Sequence, residues 1–235
     1  RSIYNRGVDM HQAPYVHGLF RDVFTGVDTR QKKAIPIGEL HMLLNKDPQS
    51  EKLRRTQAIA NLLFQFCGMP FSDLAHLEKS NLERGLLKYN RTKTGTPMSI
   101  EVLESAQNAI GGLYNKSDAR SSGYPDYLFR ILSGAYKRNE EGAYREYQSA
   151  LRRFNNELKS LSRKLRLHSP VTSYTLRHSW ATTAKYRGVP IEMISESLGH
   201  KSIKTTQIYL KGFELEERTK VNKLNYSYVC NFKML

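Results

Sequence analysis

The most informative stretch of this chain is TSYTLRHSWATTAKYRGVPIEMISESLGHKSIKTTQIYL, residues 172–210. It contains three successive helical patterns, at Ser173–Arg187, Pro190–Leu198 and Ser202–Leu210, and each begins with a residue that favours a helix start. The tripeptide Leu-Gly-His at 198–200 separates the second pattern from the third. We therefore predict three consecutive helices joined by short turns.

Upstream of that stretch, the sequence predicts further helices and a single β-hairpin. Residues 150–167 are amphipathic, because apolar residues recur at spacings of three and four while the opposite face is basic. Residues 85–102 change to a strand pattern around the turn residues Thr94 and Gly95. Shorter helical patterns occur at 36–44, 53–67, 72–77 and 101–113. The expected fold is mainly α with a small antiparallel β-hairpin or sheet.

The chain is strongly basic, with 37 Lys and Arg residues against 22 Asp and Glu residues and a formal net charge of +15. Such an excess indicates a polyanionic partner: nucleic acid first, and an anionic membrane surface second. The sequence has no apolar run of membrane-spanning length and no lipidation motif, so we expect no membrane partner. Cys67 and Cys230 are interpreted as reduced, structural cysteines of a cytoplasmic protein.

Candidate phosphate contacts are basic residues from three parts of the chain. The basic run at 30–33 closes a stretch with linker character, and it is either a solvated connector or a set of phosphate contacts. The basic face of 150–167 is either solvated or in contact with nucleic acid. The predicted contacts are Arg30, Lys32, Lys33, Arg152, Arg163, Lys201 and Lys204.

Several positions near the C-terminus have a characteristic spacing. Arg177 opens an Arg-His-Ser tripeptide, His200 ends the Leu-Gly-His tripeptide, and Tyr209 lies nine residues beyond His200. With their neighbours, these positions closely resemble the tyrosine recombinase (phage-type integrase) family. The resemblance reaches back to about Ala34, and it implies the catalytic-domain fold of the DNA breaking-rejoining enzymes.

The resemblance also implies a role for each residue. Tyr209 is the nucleophile, Arg177 clamps the phosphate, and His200 forms a hydrogen bond to the scissile phosphate. Lys93, in the stretch RTKTGT, matches the general-acid lysine of the family. These residue types suit the reaction, because a tyrosyl phosphate conserves the bond energy, guanidinium groups stabilise phosphoryl oxygens, and a lysine protonates the leaving oxygen. The reaction needs no metal or cofactor, and the sequence has no metal-ligand cluster.

Two positions depart from the family pattern. Pro70 stands where the family has its first arginine, three residues before Asp73, which matches an acidic residue that supports the site. Tyr174 stands where the family has a histidine; a phenol donates a hydrogen bond to a phosphate oxygen but is not a base near neutral pH. A subset of integrases from mobile elements has this character.

Arg91 is the predicted replacement for the missing arginine. It precedes Lys93 by two residues, and residues i and i+2 of a strand point to the same face. Arg91 is therefore expected on the Lys93 side of the hairpin, within reach of the same phosphate. The alternative is an ordinary exposed strand arginine.

The resemblance implies a site-specific DNA recombinase that acts through a covalent 3′-phosphotyrosyl intermediate, in the integration, excision or inversion of a bacterial mobile element. Its expected partners are double-stranded DNA attachment sites, with a dimer on each site, a homotetramer in the synapse, and accessory DNA-bending proteins as optional partners. The expected location is the cytoplasm, on the nucleoid. The alternatives are a catalytically impaired DNA-binding accessory protein and a type IB topoisomerase-like enzyme.

Four segments follow from this interpretation. Residues 1–11 are expected to end a truncated core-binding domain, and 12–33 to form an interdomain linker. Residues 34–210 are expected to form the catalytic domain. Residues 211–235 are too apolar for a free tail, and we expect them to pack on their own domain or on a neighbouring protomer.

Overall fold

The computed structural model describes residues 34–116, 124–138, 140–210 and 215–230. All of them belong to one of the two units into which the chain divides, Lys33–Leu235. The predicted end of a core-binding domain, the predicted linker and the candidate contacts Arg30, Lys32 and Lys33 lie outside the described residues. The sequence also predicts a loop at 115–124, and most of this loop lies outside the described residues.

The described residues form nine α-helices, one short 3-10 helix and three strands. The elements in chain order are α1 (Ile37–Asn45), α2 (Glu51–Gln65), α3 (Phe71–Ala75), the 3-10 helix (Lys79–Asn81), β1 (Leu82–Glu83), β2 (Leu86–Asn90), β3 (Pro97–Glu101), α4 (Glu104–Leu113), α5 (Glu141–Leu165), α6 (Ser173–Tyr186), α7 (Ile191–Ser197), α8 (Ile203–Tyr209) and α9 (Leu215–Cys230). The prediction of a mainly α fold with a small antiparallel sheet is confirmed. No helix among these residues is both long enough and apolar enough to cross a membrane.

The main core is built around the long helix α5. Its residues Phe154, Leu158 and Leu161 are buried, as the spacing of three and four predicts. The ring of Phe154 stacks on Phe71 of α3, with ring centroids 4.7 Å apart, so α5 fixes the position of α3. The helix begins nine residues before the predicted start, and an ion pair of 2.6 Å between Arg145 and Glu141 lies in this added part.

A second, smaller apolar cluster joins the three helices of residues 172–210. Ala181 of α6, Ile194 of α7, Leu198 and Leu210 are buried together in it. Leu210 directly follows the last residue of α8, so its burial holds the end of that helix against α6 and α7. The predicted succession of three helices is confirmed.

The sheet has three antiparallel strands in the order β1-β2-β3, one more than the predicted hairpin. In the β2–β3 pair, Leu87 lies opposite Ile100 and Asn90 lies opposite Pro97. Strand β2 therefore ends at Asn90, and Arg91 lies in the turn that follows. The strand alternation used to predict the direction of Arg91 does not apply there: Arg91 is buried and Lys93 is exposed.

Some helix starts differ from the prediction. Helix α3 begins at Phe71, one residue before the predicted pattern, and its N-cap is Pro70. The N-cap of α6 is Thr172 rather than Ser173, because its hydroxyl accepts a hydrogen bond from the backbone N–H of Thr175. Pro190 is the N-cap of α7 and not its first residue. The prediction of Ser202 as the start of α8 is confirmed by a hydrogen bond from the Lys204 N–H to its hydroxyl.

The C-terminal helix α9 lies in the segment that was expected to pack. Three of its apolar side chains, those of Val221, Leu224 and Tyr226, are exposed. Packing of these side chains on their own domain is therefore not observed. Packing on a neighbouring protomer stays a prediction.

Leu158 provides a test of the core. Leu158→Ala should lower the free energy of unfolding by about 2–5 kcal/mol, because it leaves a cavity in the packing of α5. Urea unfolding measures this change, with Lys159→Ala, one position along on the exposed face, as the control. A Leu158→Ala chain as stable as the Lys159→Ala chain would contradict the assignment of α5 to the core.

Candidate active site

Helix α6 carries Arg177 on its buried face, with 5% of the residue exposed. The Nη1 group donates a hydrogen bond of 2.9 Å to the carbonyl of Gly68, and Nη2 donates one of 2.7 Å to the carbonyl of Leu198. Gly68 has a φ of 64°, and a Cβ added there would lie 3.2 Å from the Cα of Arg177. A glycine at 68 therefore lets the turn before α3 approach α6 closely.

Arg91 enters the same region from the turn after β2, and 6% of the residue is exposed. Its Nε donates a hydrogen bond of 3.0 Å to the carboxylate of Asp73, which is itself buried. The backbone N–H of Thr92 donates to the other oxygen of that carboxylate, at 3.2 Å. Asp73 thus fixes both the side chain of Arg91 and the turn that carries it.

The two guanidinium groups meet at the carbonyl of Leu198. Nη1 of Arg91 donates to this oxygen, as does Nη2 of Arg177. Gly199, the next residue, has a φ of 64°, and a Cβ there would lie 2.6 Å from Cδ of Arg91 and 2.7 Å from Sδ of Met98. The glycine of the Leu-Gly-His tripeptide is therefore needed because the side chain of Arg91 passes directly over it.

His200 lies beside Arg177 and is half-buried. Its Nε2 is 3.1 Å from Nη2 of Arg177, and its Nδ1 is 2.8 Å from the hydroxyl oxygen of Thr206. A guanidinium group can only donate, so Nε2 is the acceptor and the imidazole is neutral. Burial, followed by the charges of Arg177, Arg91 and Lys93, lowers the pKa of His200 from 6.5 to about 4.

Lys93 is exposed at the tip of the β2–β3 turn. The turn is held against the Leu-Gly-His tripeptide by a hydrogen bond of 3.4 Å from the hydroxyl of Thr94 to the carbonyl of Gly199. The charge of Lys93 contributes to the lowered pKa of His200. The backbone of Lys93 is therefore held near the two arginines, and its flexible side chain extends from that position.

The remaining candidates are on α6 and α8. Tyr174 is exposed one turn before Arg177, and its ring meets the ring of His178 edge-on, with centroids 5.0 Å apart. His178 is buried. Tyr209 is the last residue of α8, and its side chain lies outside the described residues.

The predicted DNA contacts that the structure describes are all on the surface. Arg152 and Arg163 are exposed on α5, and Lys201 and Lys204 are exposed around the start of α8. Their role as phosphate contacts stays a prediction.

The sequence of this chain is similar to those of known proteins. The sequence signature described as the phage integrase family matches residues 37–215, which is most of this chain. The chain belongs to the phage integrase family. These proteins are tyrosine recombinases, so the resemblance found in the sequence is confirmed.

Two relatives from this family illustrate the similarity. One is a "Probable integrase/recombinase protein" of Methanocaldococcus jannaschii, 28% identical over 204 residues, which are 84% of this chain and 58% of that protein. The other is the tyrosine recombinase XerD of Halalkalibacterium halodurans, 30% identical over 190 residues, which are 77% of this chain and 57% of that protein. The chain thus spans less than three fifths of the length of these two relatives.

Two solved structures have the same fold. The crystal structure of XerA recombinase matches with a TM-score of 0.55 at 22% identity, over 86% of this chain and 64% of that one. A structure of the Tn1549 transposon integrase, in complex with a circular intermediate DNA, matches with a TM-score of 0.59 at 16% identity, over 83% of this chain and 67% of that one. The fold is therefore that of the tyrosine recombinase catalytic domain.

Within this integrase domain, sequence reasoning missed three contacts. It identified neither the carbonyl of Leu198 as the meeting point of two arginines, nor Asp73 as the partner of Arg91, nor Thr206 as the partner of His200. Backbone acceptors leave no signal in a sequence. The sequence carries a weak signal for Thr206, because this residue lies one helical turn before Tyr209.

The neutral state of His200 predicts a pH dependence of stability. The folded chain takes up a proton on His200 only near pH 4, whereas the ordinary pKa is 6.5. Between these values the unfolded chain binds more protons, so the free energy of unfolding falls as the pH falls through this window. Urea unfolding of His200→Gln, above and within the window, should show a smaller fall than the native chain shows. Equal falls in the two proteins would contradict the lowered pKa.

Proposed function

We propose that this chain is the catalytic domain of a site-specific DNA recombinase, which cleaves and rejoins DNA through a 3′-phosphotyrosyl intermediate on Tyr209. The observation that carries the proposal is the convergence of two buried guanidinium groups, Arg91 and Arg177, beside the neutral imidazole of His200. The helix that supplies a partner for this imidazole ends at Tyr209.

In the proposed reaction, the phenolic oxygen of Tyr209 attacks the scissile phosphorus and forms the new P–O bond. The bond to the 5′-oxygen breaks, and the leaving oxygen takes a proton from the ammonium group of Lys93. The phosphotyrosyl bond conserves the energy of the broken phosphodiester, so a 5′-hydroxyl of a second strand reverses the step without ATP. Family membership and the spacing of Arg177, His200 and Tyr209 support this order of events.

Negative charge grows on the non-bridging phosphoryl oxygens in the transition state, and the arginines are suited to stabilise it. Burial makes a hydrogen bond from a guanidinium group to such an oxygen stronger than it is in water. The acceptors on Gly68 and Leu198 already hold Arg177 in place, so little reorganisation is needed when phosphate enters. Arg177 is proposed as the main phosphate clamp.

Arg91 is proposed to replace the family's first arginine. Pro70, at the expected position, offers no donor from its side chain, but Asp73 lies three residues further on and binds Arg91. The acidic residue that supports the first arginine in the family thus supports an arginine from a different element in this chain. Exposed Tyr174, in place of a histidine, is proposed to donate a hydrogen bond to a phosphate oxygen.

The proposed partners are double-stranded attachment sites, with two recombinases on each site and four in the synapse. Arg152, Arg163, Lys201 and Lys204 are exposed and available to phosphates, and the exposed apolar residues of α9 are available to a neighbouring protomer. A core-binding domain before residue 34 would complete a clamp around the DNA, and accessory DNA-bending proteins are optional partners. The proposed context is a mobile element in a bacterial cytoplasm, on the nucleoid.

Tyr209→Phe tests the nucleophile. The native chain should form a covalent adduct with a nicked suicide substrate, which denaturing electrophoresis detects. Tyr209→Phe should bind the same DNA and form no adduct, because only the attacking oxygen is lost. Tyr226→Phe, which alters an exposed tyrosine of α9, is the control and should form the adduct.

Two outcomes would contradict the proposal. An adduct from the Tyr209→Phe chain would place the nucleophile on another residue. DNA binding without any adduct from the native chain would favour a catalytically impaired accessory protein.

Arg91→Ala tests the replacement of the first arginine. The loss of a charged donor at the phosphate should slow adduct formation by roughly 10²–10³-fold with little change in DNA affinity. Arg91→Lys should recover only part of the rate, because lysine lacks the planar fork. Arg84→Ala, at the exposed β1–β2 turn, is the matched control and should cleave at the native rate.

Arg91→Ala also leaves the carboxylate of Asp73 buried without its ion pair, which destabilises the fold. The rate is therefore measured in the Asp73→Asn background as well, where no buried charge is left unpaired. If Arg91→Ala cleaves at the native rate in both backgrounds, the second cation lies elsewhere.

A further inference from the structure

The contact between Thr206 and His200 carries an inference about the proposed reaction. We propose that Thr206 is a positioning residue, which holds His200 in the tautomer with a proton on Nδ1 and an unprotonated Nε2 beside Arg177. This role in catalysis rests on the proposed function, although the contact itself does not depend on it.

The tautomer follows from the chemistry of the two neighbours. Arg177 has only donors, so the nitrogen that faces it at 3.1 Å is unprotonated. The proton of a neutral imidazole is then on Nδ1, which donates to the hydroxyl oxygen of Thr206 at 2.8 Å. The hydrogen bond made by one ring nitrogen sets the state of the other. Arg177 and Thr206 therefore set the tautomer together: Arg177 needs an acceptor at Nε2, and Thr206 accepts the proton on Nδ1.

The position of Thr206 in the fold is suited to this task. The residue is fully buried, so little water competes for the hydroxyl. It lies in α8, whose start is capped by Ser202 and whose end is held by buried Leu210. Its neighbour Thr205 has the same chemistry but is exposed, so the burial of the hydroxyl at 206 is specific to that face of the helix.

An unprotonated Nε2 allows His200 to accept a proton in the proposed cleavage step. As the oxygen of Tyr209 forms its bond to phosphorus, the Nη2–H of Arg177 turns from Nε2 to a phosphoryl oxygen, and the phenolic proton moves to Nε2. The imidazolium that results keeps its Nδ1–H on Thr206 and has an Nε2–H that donates to a phosphoryl oxygen. Thr206 and Tyr209 are three residues apart on α8. The docking of α8 therefore both orients the imidazole of His200 and positions the proposed nucleophile, Tyr209.

The tautomer is measured by ¹⁵N NMR of the imidazole in the DNA-free full chain, with the His200 signal assigned by its loss in His200→Gln. The native chain should show a protonated Nδ1 and an unprotonated Nε2. Thr206→Val, which removes the hydroxyl at nearly the same volume, should shift the ring towards the Nε2–H tautomer. Thr206→Ser should keep the native tautomer, and Thr205→Val is the matched control. Thr206→Ala is a second variant without the hydroxyl, so that the test does not depend on how the added methyl group packs.

The same variants are then compared in adduct formation on the nicked substrate. Thr206→Val and Thr206→Ala should be slower by about 10–100-fold, the range found when a partner that orients a metal-binding histidine is removed. Thr206→Ser should recover a rate close to that of the native chain, and Thr205→Val should match it.

The proposal is overturned if the Nδ1–H tautomer persists in Thr206→Val and Thr206→Ala, or if both cleave at the native rate. Failure of the proposed function has a different signature: the native chain then forms no adduct, while the NMR result on Thr206 and His200 still decides how the tautomer is set.

Discussion

The proposed site depends on the hydrogen bonds that the carbonyl oxygen of Leu198 accepts. It accepts hydrogen bonds from Arg91 and from Arg177, which are 86 residues apart in the sequence. Two like charges repel each other when they are buried together, and their burial is tolerated only when each charge has acceptors. Asp73 and the carbonyl of Gly68 supply the others, so the site is a hydrogen-bonded network rather than a set of separate residues.

This network explains why the surrounding fold has its particular form. Stacking of Phe71 on Phe154 fixes α3 and therefore Asp73, and the small apolar cluster of α6, α7 and α8 fixes the carbonyl of Leu198. Left-handed glycines at 68 and 199 allow the backbone to come close to the two arginines. The long helix α5 and the sheet thus act on the chemistry indirectly, by holding these segments together.

The helices and the β2–β3 hairpin could be predicted from the sequence because periodic apolar residues and turn residues are local signals. The nearness of Arg177 and His200 could be expected from the family spacing. The strand alternation that predicts the direction of Arg91 ends at Asn90, and the observed placement of Arg91 follows from Asp73, a partner 18 residues away. Thr206 and the Leu198 carbonyl depend on tertiary contacts between helices, which leave no periodic pattern. The starts of α3, α6 and α7 differ from the predicted starts because a proline or threonine at the N-cap determines where each helix begins.

The most direct test of this account is a double-mutant cycle on the single-turnover cleavage rate, with Arg91→Lys, Arg177→Lys and the double variant. If both guanidinium groups are held on one carbonyl and act on one phosphate, their effects are coupled. The account predicts that the activation free energy lost in the double variant differs from the sum of the single losses by more than ~0.5 kcal/mol. Losses that add within that margin would show that the two arginines act independently, and would contradict the account.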